Sequence, residues 1–216
     1  MMPTLWFTKI LFHPLFLHVL RPGWTKRNEH GEMCSGCTIS LLSGPKKIIV
    51  DPGSPWDTNL VHTLLAQHGL DFTDIDYVIC THEHIDHIGS LHRFTKAIHI
   101  VGTSVYKEQP IAHDFGSYIP YEIDSNVLIH TPGHTPHDVS VVCRHIAPYG
   151  RVVITGDLFE CEEDLKDPLL WQNSSWLKPV QESFRMKILK KADLIVPGHG
   201  DSFPVFFIKS IKCIYS

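Results

Sequence analysis

The sequence lacks an uninterrupted apolar run long enough to cross a bilayer. Its most apolar stretch, residues 5–20 (LWFTKILFHPLFLHVL), is interrupted by Lys9, His13, Pro14 and His18. It is also shorter than the roughly 20 apolar residues that a span needs, and no basic segment of the kind that opens a signal peptide precedes it. We therefore expect a leader that runs into a buried strand and no stable membrane partner, with membrane targeting as the less favoured alternative.

An excess of positive charge is also missing. The chain of 216 residues has 19 Lys and Arg against 23 Asp and Glu, a formal net charge of −4. This balance argues against an extended electrostatic clamp on nucleic acid, but it leaves room for a local basic patch. Short basic runs of this kind usually form solvated faces, and contact with RNA is the alternative. The two runs are Arg21, Lys26 and Arg27, and Arg185, Lys187, Lys190 and Lys191.

Cysteine is sparse, with six residues scattered along the chain. Such a chain is too long and too poor in cysteine to be a disulfide scaffold, which suits a reducing compartment. Cys34 and Cys37 form a CxxC, but no second pair completes a zinc motif, so we interpret them as ordinary loop cysteines. We expect a cytoplasmic protein that is also a candidate for the nucleus.

Repeats, low-complexity tracts and linkers are absent, which indicates a single globular domain. Short apolar runs predict strands, and the runs CTISLLSG and KKIIVDPG (37–44 and 46–53) predict a hairpin. Residues 58–69 and 180–192 have helical spacing, with Thr58 as the expected N-cap and Gly69 as the stop of the first helix. Helices and strands do not alternate strictly, so we expect two packed mixed sheets flanked by helices. The other predicted strands are 74–81, 97–102, 126–131, 138–145, 151–157 and 193–200.

The segment CTHEHIDHIG (80–89) concentrates metal-binding side chains in a chain that has sixteen histidines. In an extended segment, residues two apart share a face, so His82 and His84 can bind one ion. Asp86 and His87 are adjacent and diverge in such a segment, which suits a second ion beside the first. A polar loop with incidental histidines is the alternative, because short motifs carry a risk of chance matches.

Three more ligand-capable residues stand where predicted strands end. They are His134 in TPGHT, Asp157 in ITGDLF and His199 in VPGHG. Each has a glycine close by, where the chain can turn sharply and approach an ion closely. Together with the 82–87 segment they supply five imidazoles and two carboxylates, a donor set that suits zinc.

The order and spacing of these motifs resemble those of the metallo-β-lactamase superfamily over roughly residues 35–204. The resemblance implies an α/β (α+β) fold, a four-layer αββα sandwich with the metal site between its sheets. We expect a single domain over residues 31–216, preceded by a leader and first strand in residues 1–30.

The resemblance also implies roles for individual residues, with two Zn²⁺ per chain. Asp157 bridges the ions, Asp86 is a candidate proton relay, and Asp51 in IIVDPG hydrogen-bonds a metal-bound imidazole. A pair of zinc ions activates water for attack on a carbonyl carbon or on phosphorus. His113 and His137 are further candidates for a leaving-group acid, and both are otherwise loop histidines. The implied ligands are His82, His84 and His134 for the first metal and Asp86, His87 and His199 for the second.

The surroundings of the motifs (THEHIDHIGSL, HTPGHTPHDVSVV, VVITGDLFE, VPGHGDSFPV) resemble a small single-domain branch of the superfamily. That branch is associated with endoribonucleolytic 3′-end cleavage of histone pre-mRNA in cytosol and nucleus. The resemblance implies an RNA substrate and phosphodiester hydrolysis. The alternatives are a glyoxalase-like hydrolase of small thioesters or esters and a non-catalytic metal-binding protein. A homodimer is a candidate assembly.

Overall fold

The computed structural model describes residues 15–124 and 126–205. Its strands form a seven-stranded sheet, a six-stranded sheet and a separate hairpin. The strands are β1 (Phe16–Arg21), β2 (Trp24–Arg27), β3 (Met33–Gly36), β4 (Ile39–Ser43), β5 (Lys47–Val50), β6 (Tyr77–Cys80), β7 (Ile98–Val101), β8 (Ser104–Lys107), β9 (Gln109–Pro110), β10 (Tyr121–Ile123), β11 (Asn126–His130), β12 (Val139–Ile146), β13 (Gly150–Gly156), β14 (Leu194–Pro197) and β15 (Phe203–Pro204).

The seven-stranded sheet has the order β1-β4-β5-β6-β7-β8-β9. β4 and β5 form the predicted antiparallel hairpin, and β5, β6 and β7 run parallel to one another. The strand expected at the end of residues 5–20 is β1, which pairs with β4 and is half-buried, while residues 5–14 lie outside the described residues. This sheet therefore places the carboxyl ends of β5 and β6 side by side.

The six-stranded sheet has the order β10-β11-β12-β13-β14-β15. Four of its five pairings are antiparallel, and β13 and β14 are parallel. The long predicted strands of the second half of the chain are thus confirmed, and the parallel pair again brings two carboxyl ends to one edge. β2 and β3 pair only with each other.

In the part of the chain that the structure describes, four α-helices connect or cover the sheets: α1 (Thr58–Gln67), α2 (Ile85–Ile88), α3 (Leu169–Gln172) and α4 (Lys178–Lys191). No helix within the described ranges is long and apolar enough to cross a membrane. The expectation that Thr58 is the N-cap of α1 is wrong. A 3₁₀ turn precedes the helix because the Ser54 amide and hydroxyl both donate to Asp57, at 2.9 and 2.8 Å, so Asp57 is the N-cap. Gly69 adopts a left-handed φ of +69° and ends the first helix as predicted.

The two sheets pack face to face around the main core. Alternate residues of a strand point to opposite faces, so Ile48 and Val50 of β5 join the core between the sheets while Ile49 joins the cluster under α1. In the same way Val152 faces the first sheet, and Val153 packs with Ile188 and Leu189 of α4. Helices thus cover both outer faces, and the predicted four-layer αββα sandwich is confirmed.

Strand ends from both sheets meet at one edge of the sandwich. The amide of Val139 donates to the carbonyl of Thr81 at 2.9 Å, and the amide of Thr38 donates to the carbonyl of Gly198 at 2.7 Å, so backbone hydrogen bonds join the sheets there. Gly198 is required by close approach, because a Cβ at this position would lie 1.9 Å from Oδ1 of Asp157. This edge positions the side chains that follow β5, β6, β13 and β14.

Candidate metal centre

The structure brings all seven predicted ligands to this edge of the sandwich, in two sets of donor atoms. The members of each set offer one donor atom apiece, and those atoms lie within 4.8 Å of one another. We call His82, His84, His134 and Asp157 the first donor group, and Asp86, His87 and His199 the second donor group.

The imidazoles of the first donor group point ring nitrogens at a common point. Nδ1 of His84 lies 2.9 Å from Nε2 of His82 and 3.0 Å from Nε2 of His134. For comparison, ligand nitrogens on one tetrahedral zinc ion at about 2.0–2.1 Å stand about 3.3 Å apart. The three imidazole nitrogens thus converge at slightly less than the spacing of ligands on one zinc ion, and their chemistry suits a metal of that kind.

Asp157 belongs to the first donor group and also faces the second, so its carboxylate stands between the two sets of imidazoles. Its Oδ2 is 3.3 Å from Nε2 of His134 and 3.2 Å from Nε2 of His199, and its Oδ1 is 3.3 Å from Nε2 of His87. Oδ1 of Asp157 and Nε2 of His87 are buried and have no hydrogen-bond partner among the described residues. Buried polar atoms normally have partners, so these two atoms fit a site built for cations.

The predicted extended conformation of the 82–87 segment is wrong beyond His84. Residues Ile85–Ile88 form α2, a single helical turn. As a result Asp86 and His87 do not diverge: Oδ2 of Asp86 lies 3.8 Å from Nε2 of His87 and 3.7 Å from Nε2 of His199. The turn directs both neighbours toward the second donor group.

In several imidazoles the ring nitrogen that faces away from the donor groups, which we call the outer nitrogen, has an oxygen atom close to it. Oδ2 of Asp51 is 3.0 Å from Nδ1 of His87, and the Thr81 hydroxyl is 3.1 Å from Nδ1 of His82. Asp51 follows β5 with a left-handed φ of 53°, an uncommon conformation for a residue other than glycine. The backbone at this strand end thus turns the Asp51 carboxylate toward the imidazoles.

Burial and the charges at the site raise the pKa values of some donor residues and lower those of others. Burial and the neighbouring His87 lower the pKa of His82 well below its usual value. Burial also disfavours the charged form of His199, but the Asp157 carboxylate outweighs it and raises the pKa of His199 to about 9. Burial would raise the pKa of Asp157, whereas His199, His87 and His82 hold it well below its usual value. Asp157 is therefore a carboxylate at neutral pH.

Glu160 is a residue of the site that sequence reasoning missed. Its carboxylate lies 3.9 Å from Nδ1 of His134 and 3.9 Å from Nε2 of His199, and it forms a third donor set with Asp157 and His199. In the metal-free protein, burial and the charge of Asp157 raise the pKa of Glu160 to about 8; cations at the donor groups would favour its ionised form. The one signal in the sequence that could have indicated Glu160 was its position three residues after Asp157, which directly follows β13.

A groove with a volume of about 1170 Å³ opens over the two donor groups. The hairpin β2–β3 forms one wall, with Trp24, Arg27 and Met33 facing the groove. A second wall of the groove carries acidic and apolar side chains. These are Glu160, Glu162, Glu163, Leu169 and Leu170.

Two of the basic residues considered as RNA contacts are engaged in ion pairs. Nη1 of Arg21 lies 2.8 Å from Oδ1 of Asp57. The guanidinium of Arg185 is buried, donates to Asp164 at 2.9 Å and lies over the ring of Phe159. Neither arginine belongs to a solvated basic face, because each is held by an aspartate; contact of the basic runs with RNA stays a prediction. Lys26 and Arg27 remain exposed on β2.

Neither of the two additional histidines lines the groove among the described residues. Nε2 of His113 lies 2.8 Å from the carbonyl oxygen of Ile119, and Nδ1 of His137 lies 3.5 Å from the hydroxyl of Thr103. Both are loop histidines, and the structure does not place them beside the donor groups.

Comparison with known proteins gives a consistent result. A model of the metallo-beta-lactamase superfamily matches residues 34–199. Metallo-beta-lactamase domain-containing protein 1 of Xenopus laevis is 36% identical over 196 residues, covering 89% of this chain and 82% of that protein. The protein of that name from Rattus norvegicus is 36% identical over 207 residues, covering 87% and 76%. A crystal structure from Thermotoga maritima, described as a metallo-beta-lactamase, superposes with a TM-score of 0.68 at 22% identity, covering 89% of this chain and all of that one.

Proposed function

Because the chain belongs to the metallo-β-lactamase superfamily of metal-dependent hydrolases, we propose that it is a binuclear zinc enzyme that cleaves single-stranded RNA. The observation that carries the proposal is the position of Asp157 between the two donor groups. Seven donors are too many for one four-coordinate zinc ion, whereas two ions that share Asp157 use them all. When bound, a pair of zinc ions activates water and stabilises charge that develops at phosphorus.

The residues of the chain have separate tasks in this proposal. Asp157 fixes the relative positions of the two donor groups. Asp86 is partly exposed to the groove and accepts a hydrogen bond from the Ser35 hydroxyl at 3.5 Å, so it can take up a proton from the attacking water and pass it to solvent. Asp51 and Thr81 orient His87 and His82.

The β2–β3 hairpin supports RNA as the substrate. Trp24 is 37% exposed at the groove, and Nζ of Lys26 lies 4.6 Å from the centre of its ring. Single-stranded nucleic acids bind where aromatic rings stack on bases and nearby cations contact phosphates. Trp24 and Arg27 line an open groove, and Lys26 lies over the Trp24 ring, so the hairpin offers that combination. An RNA-processing role in cytosol and nucleus, implied by the sequence resemblance, is part of the proposal.

The test compares substrates on one preparation of zinc-loaded protein of known metal content. We expect cleavage of single-stranded RNA that a chelator abolishes and zinc restores, and no cleavage by His84→Ala. Bis(p-nitrophenyl) phosphate, a thioester and nitrocefin are assayed in parallel. A thioester or lactone hydrolysed orders of magnitude faster than any phosphodiester would contradict the nuclease proposal.

Hydrolysis of a small thioester or ester is the second candidate, and the second wall of the groove favours it. Glu162 and Glu163 are exposed there and repel a polyanion, while Leu169 and Leu170 are 61% and 46% exposed and suit an acyl chain. The substrate comparison separates the two candidates, because the donor groups are the same in both.

A further inference from the structure

The outer nitrogens of the four buried imidazoles differ in how close an oxygen atom lies to them. Three of them have an oxygen within hydrogen-bonding range: Thr81 Oγ1 is 3.1 Å from His82, Asp51 Oδ2 is 3.0 Å from His87, and the Gly36 carbonyl is 3.3 Å from His199. His134 differs from these three. Its side chain is 2% exposed, and its Nδ1 has no hydrogen-bond partner within residues 15–124 and 126–205. Nδ1 of His87 also lacks a well-aligned hydrogen bond, but it has the Asp51 oxygen at 3.0 Å.

Oε1 of Glu160 lies 3.9 Å from this unpartnered Nδ1. The same oxygen accepts a hydrogen bond of 2.8 Å from the hydroxyl of Ser174, which fixes the direction of the carboxylate. The backbone of Glu160 is also held, because its amide donates to Asp164 at 2.8 Å and its carbonyl accepts from the His199 amide at 2.7 Å. A carboxylate held in this way has a fixed position beside His134, unlike that of a surface acid whose side chain rotates freely.

We propose that Glu160 is the positioning residue of His134, holding the proton on Nδ1 so that Nε2 is directed at the metal of the first donor group. A small movement of either side chain closes the 3.9 Å gap to a hydrogen bond. A ligand imidazole whose second nitrogen donates to a carboxylate has a fixed tautomer and a raised basicity. Glu160 thus does for the first donor group what Asp51 does for the second. The inference rests on the proposed metal centre and is independent of the substrate.

The test measures binding of the metal alone, without any substrate. Glu160→Gln keeps the size of the side chain and removes its charge, and Glu160→Ala removes the acceptor as well. Glu162→Gln is the matched control, since Glu162 is an exposed acid of the same wall. Zinc affinity is measured by competition with a chromophoric chelator, and the visible spectrum of the cobalt(II) protein reports ligand geometry. Circular dichroism and thermal unfolding of chelator-treated protein verify folding.

We expect Glu160→Gln and Glu160→Ala to weaken binding of one of the two zinc ions by about 10–100-fold, the usual effect of losing such a partner. The cobalt(II) spectrum should change in both variants, and Glu162→Gln should match the unaltered protein in both measurements. Unaltered affinity and spectrum in a folded Glu160→Ala protein would overturn the proposal.

A double-mutant cycle tests whether Glu160 acts through His134. In a His134→Ala background, Glu160→Gln should not weaken binding of the remaining zinc ion any further. A loss of the same size in that background would place the effect of Glu160 on His199 and would overturn the assignment to His134. Because no substrate is present, the result stands even if the protein proves not to cleave RNA.

Discussion

The Asp51 carboxylate lies 3.0 Å from Nδ1 of His87. The same carboxylate accepts hydrogen bonds from the Thr81 amide at 2.7 Å and from the Thr81 hydroxyl at 3.0 Å. The Thr81 hydroxyl in turn is next to Nδ1 of His82. One aspartate at the end of β5 therefore orients an imidazole of each donor group, one directly and one through a threonine.

Asp51→Asn should lower zinc affinity or reaction rate by about 10–100-fold, because the asparagine keeps the shape but not the charge that steadies the imidazole. Zinc affinity by chelator competition and initial rates measure the effect. Asp201→Asn, at an exposed acid beside the groove, is the control and should leave zinc affinity unchanged. An Asp51→Asn protein with unaltered affinity and rate would show that Asp51 is only a turn residue.

Asp157→Ala should lower metal content and activity together, since its carboxylate faces both donor groups. Metal analysis of dialysed protein gives the zinc content per chain, for which we expect two in the unaltered protein. Full activity of Asp157→Ala, or full activity of the unaltered protein with a single metal, would be incompatible with a shared carboxylate.

Zinc affinity should rise with pH between about 6.5 and 8.5. Asp157 raises the pKa of His199 to about 9, so in chelator-treated protein this imidazole carries a proton that zinc must displace. Each displaced proton adds about a factor of ten in affinity per pH unit below that pKa. Affinities at three pH values measure the slope. In His199→Ala the slope should decrease, and an unchanged slope would assign the proton to another residue.

Gly198→Ala should disrupt the centre without unfolding the protein. A Cβ there would lie 1.9 Å from Oδ1 of Asp157 and displace the carboxylate from its position between the donor groups. We expect zinc affinity to fall by at least about tenfold, which is the usual effect of removing a residue that hydrogen-bonds a metal ligand. Gly116→Ala is the control, because its nearest contact would be 3.4 Å away. Normal zinc content in Gly198→Ala would mean that the carboxylate has room to move.

RNA binding should depend on salt only weakly, because few cations face the groove. On a single strand, each phosphate contact contributes about 0.7 unit to the slope of log affinity against log salt. The double variant Lys26→Gln/Arg27→Gln should therefore reduce the slope by about 1.4 units in a fluorescence titration. Lys190→Gln/Lys191→Gln removes the same charge from α4, away from the groove, and should have no effect. Equal effects of the two variants would exclude the hairpin as the RNA contact.

The fold and the positions of the seven donors could be predicted from the sequence because both depend on strong local signals. Apolar runs marked the central strands, and each donor outside residues 82–87 follows a strand and stands close to a glycine. The turn α2 could not be predicted, since four residues are too few to show a helical period.

Burial accounts for the other differences between prediction and structure. Glu160 belongs to an acidic segment that also contains Glu162, Glu163 and Asp164, and only packing shows which of these acids face inward. Arg185 has the sequence context of a basic helix face, yet it is buried against Asp164 in an ion pair. Charged residues are seldom buried without a partner, and the partner here is 21 residues away in the chain.

The turn α2 places Asp86 and His87 beside His82 and His84, so four of the seven donors come from six consecutive residues. In an unfolded chain these four stay at most about 18 Å apart, so they can meet on one ion without the strands β13 and β14 that carry Asp157 and His199 in the folded protein. The disordered chain therefore retains affinity for zinc, and metal binding to an unfolded state reduces the stabilisation that the metal gives to the folded state. We therefore expect zinc to stabilise this protein against unfolding by less than its affinity for the folded site implies.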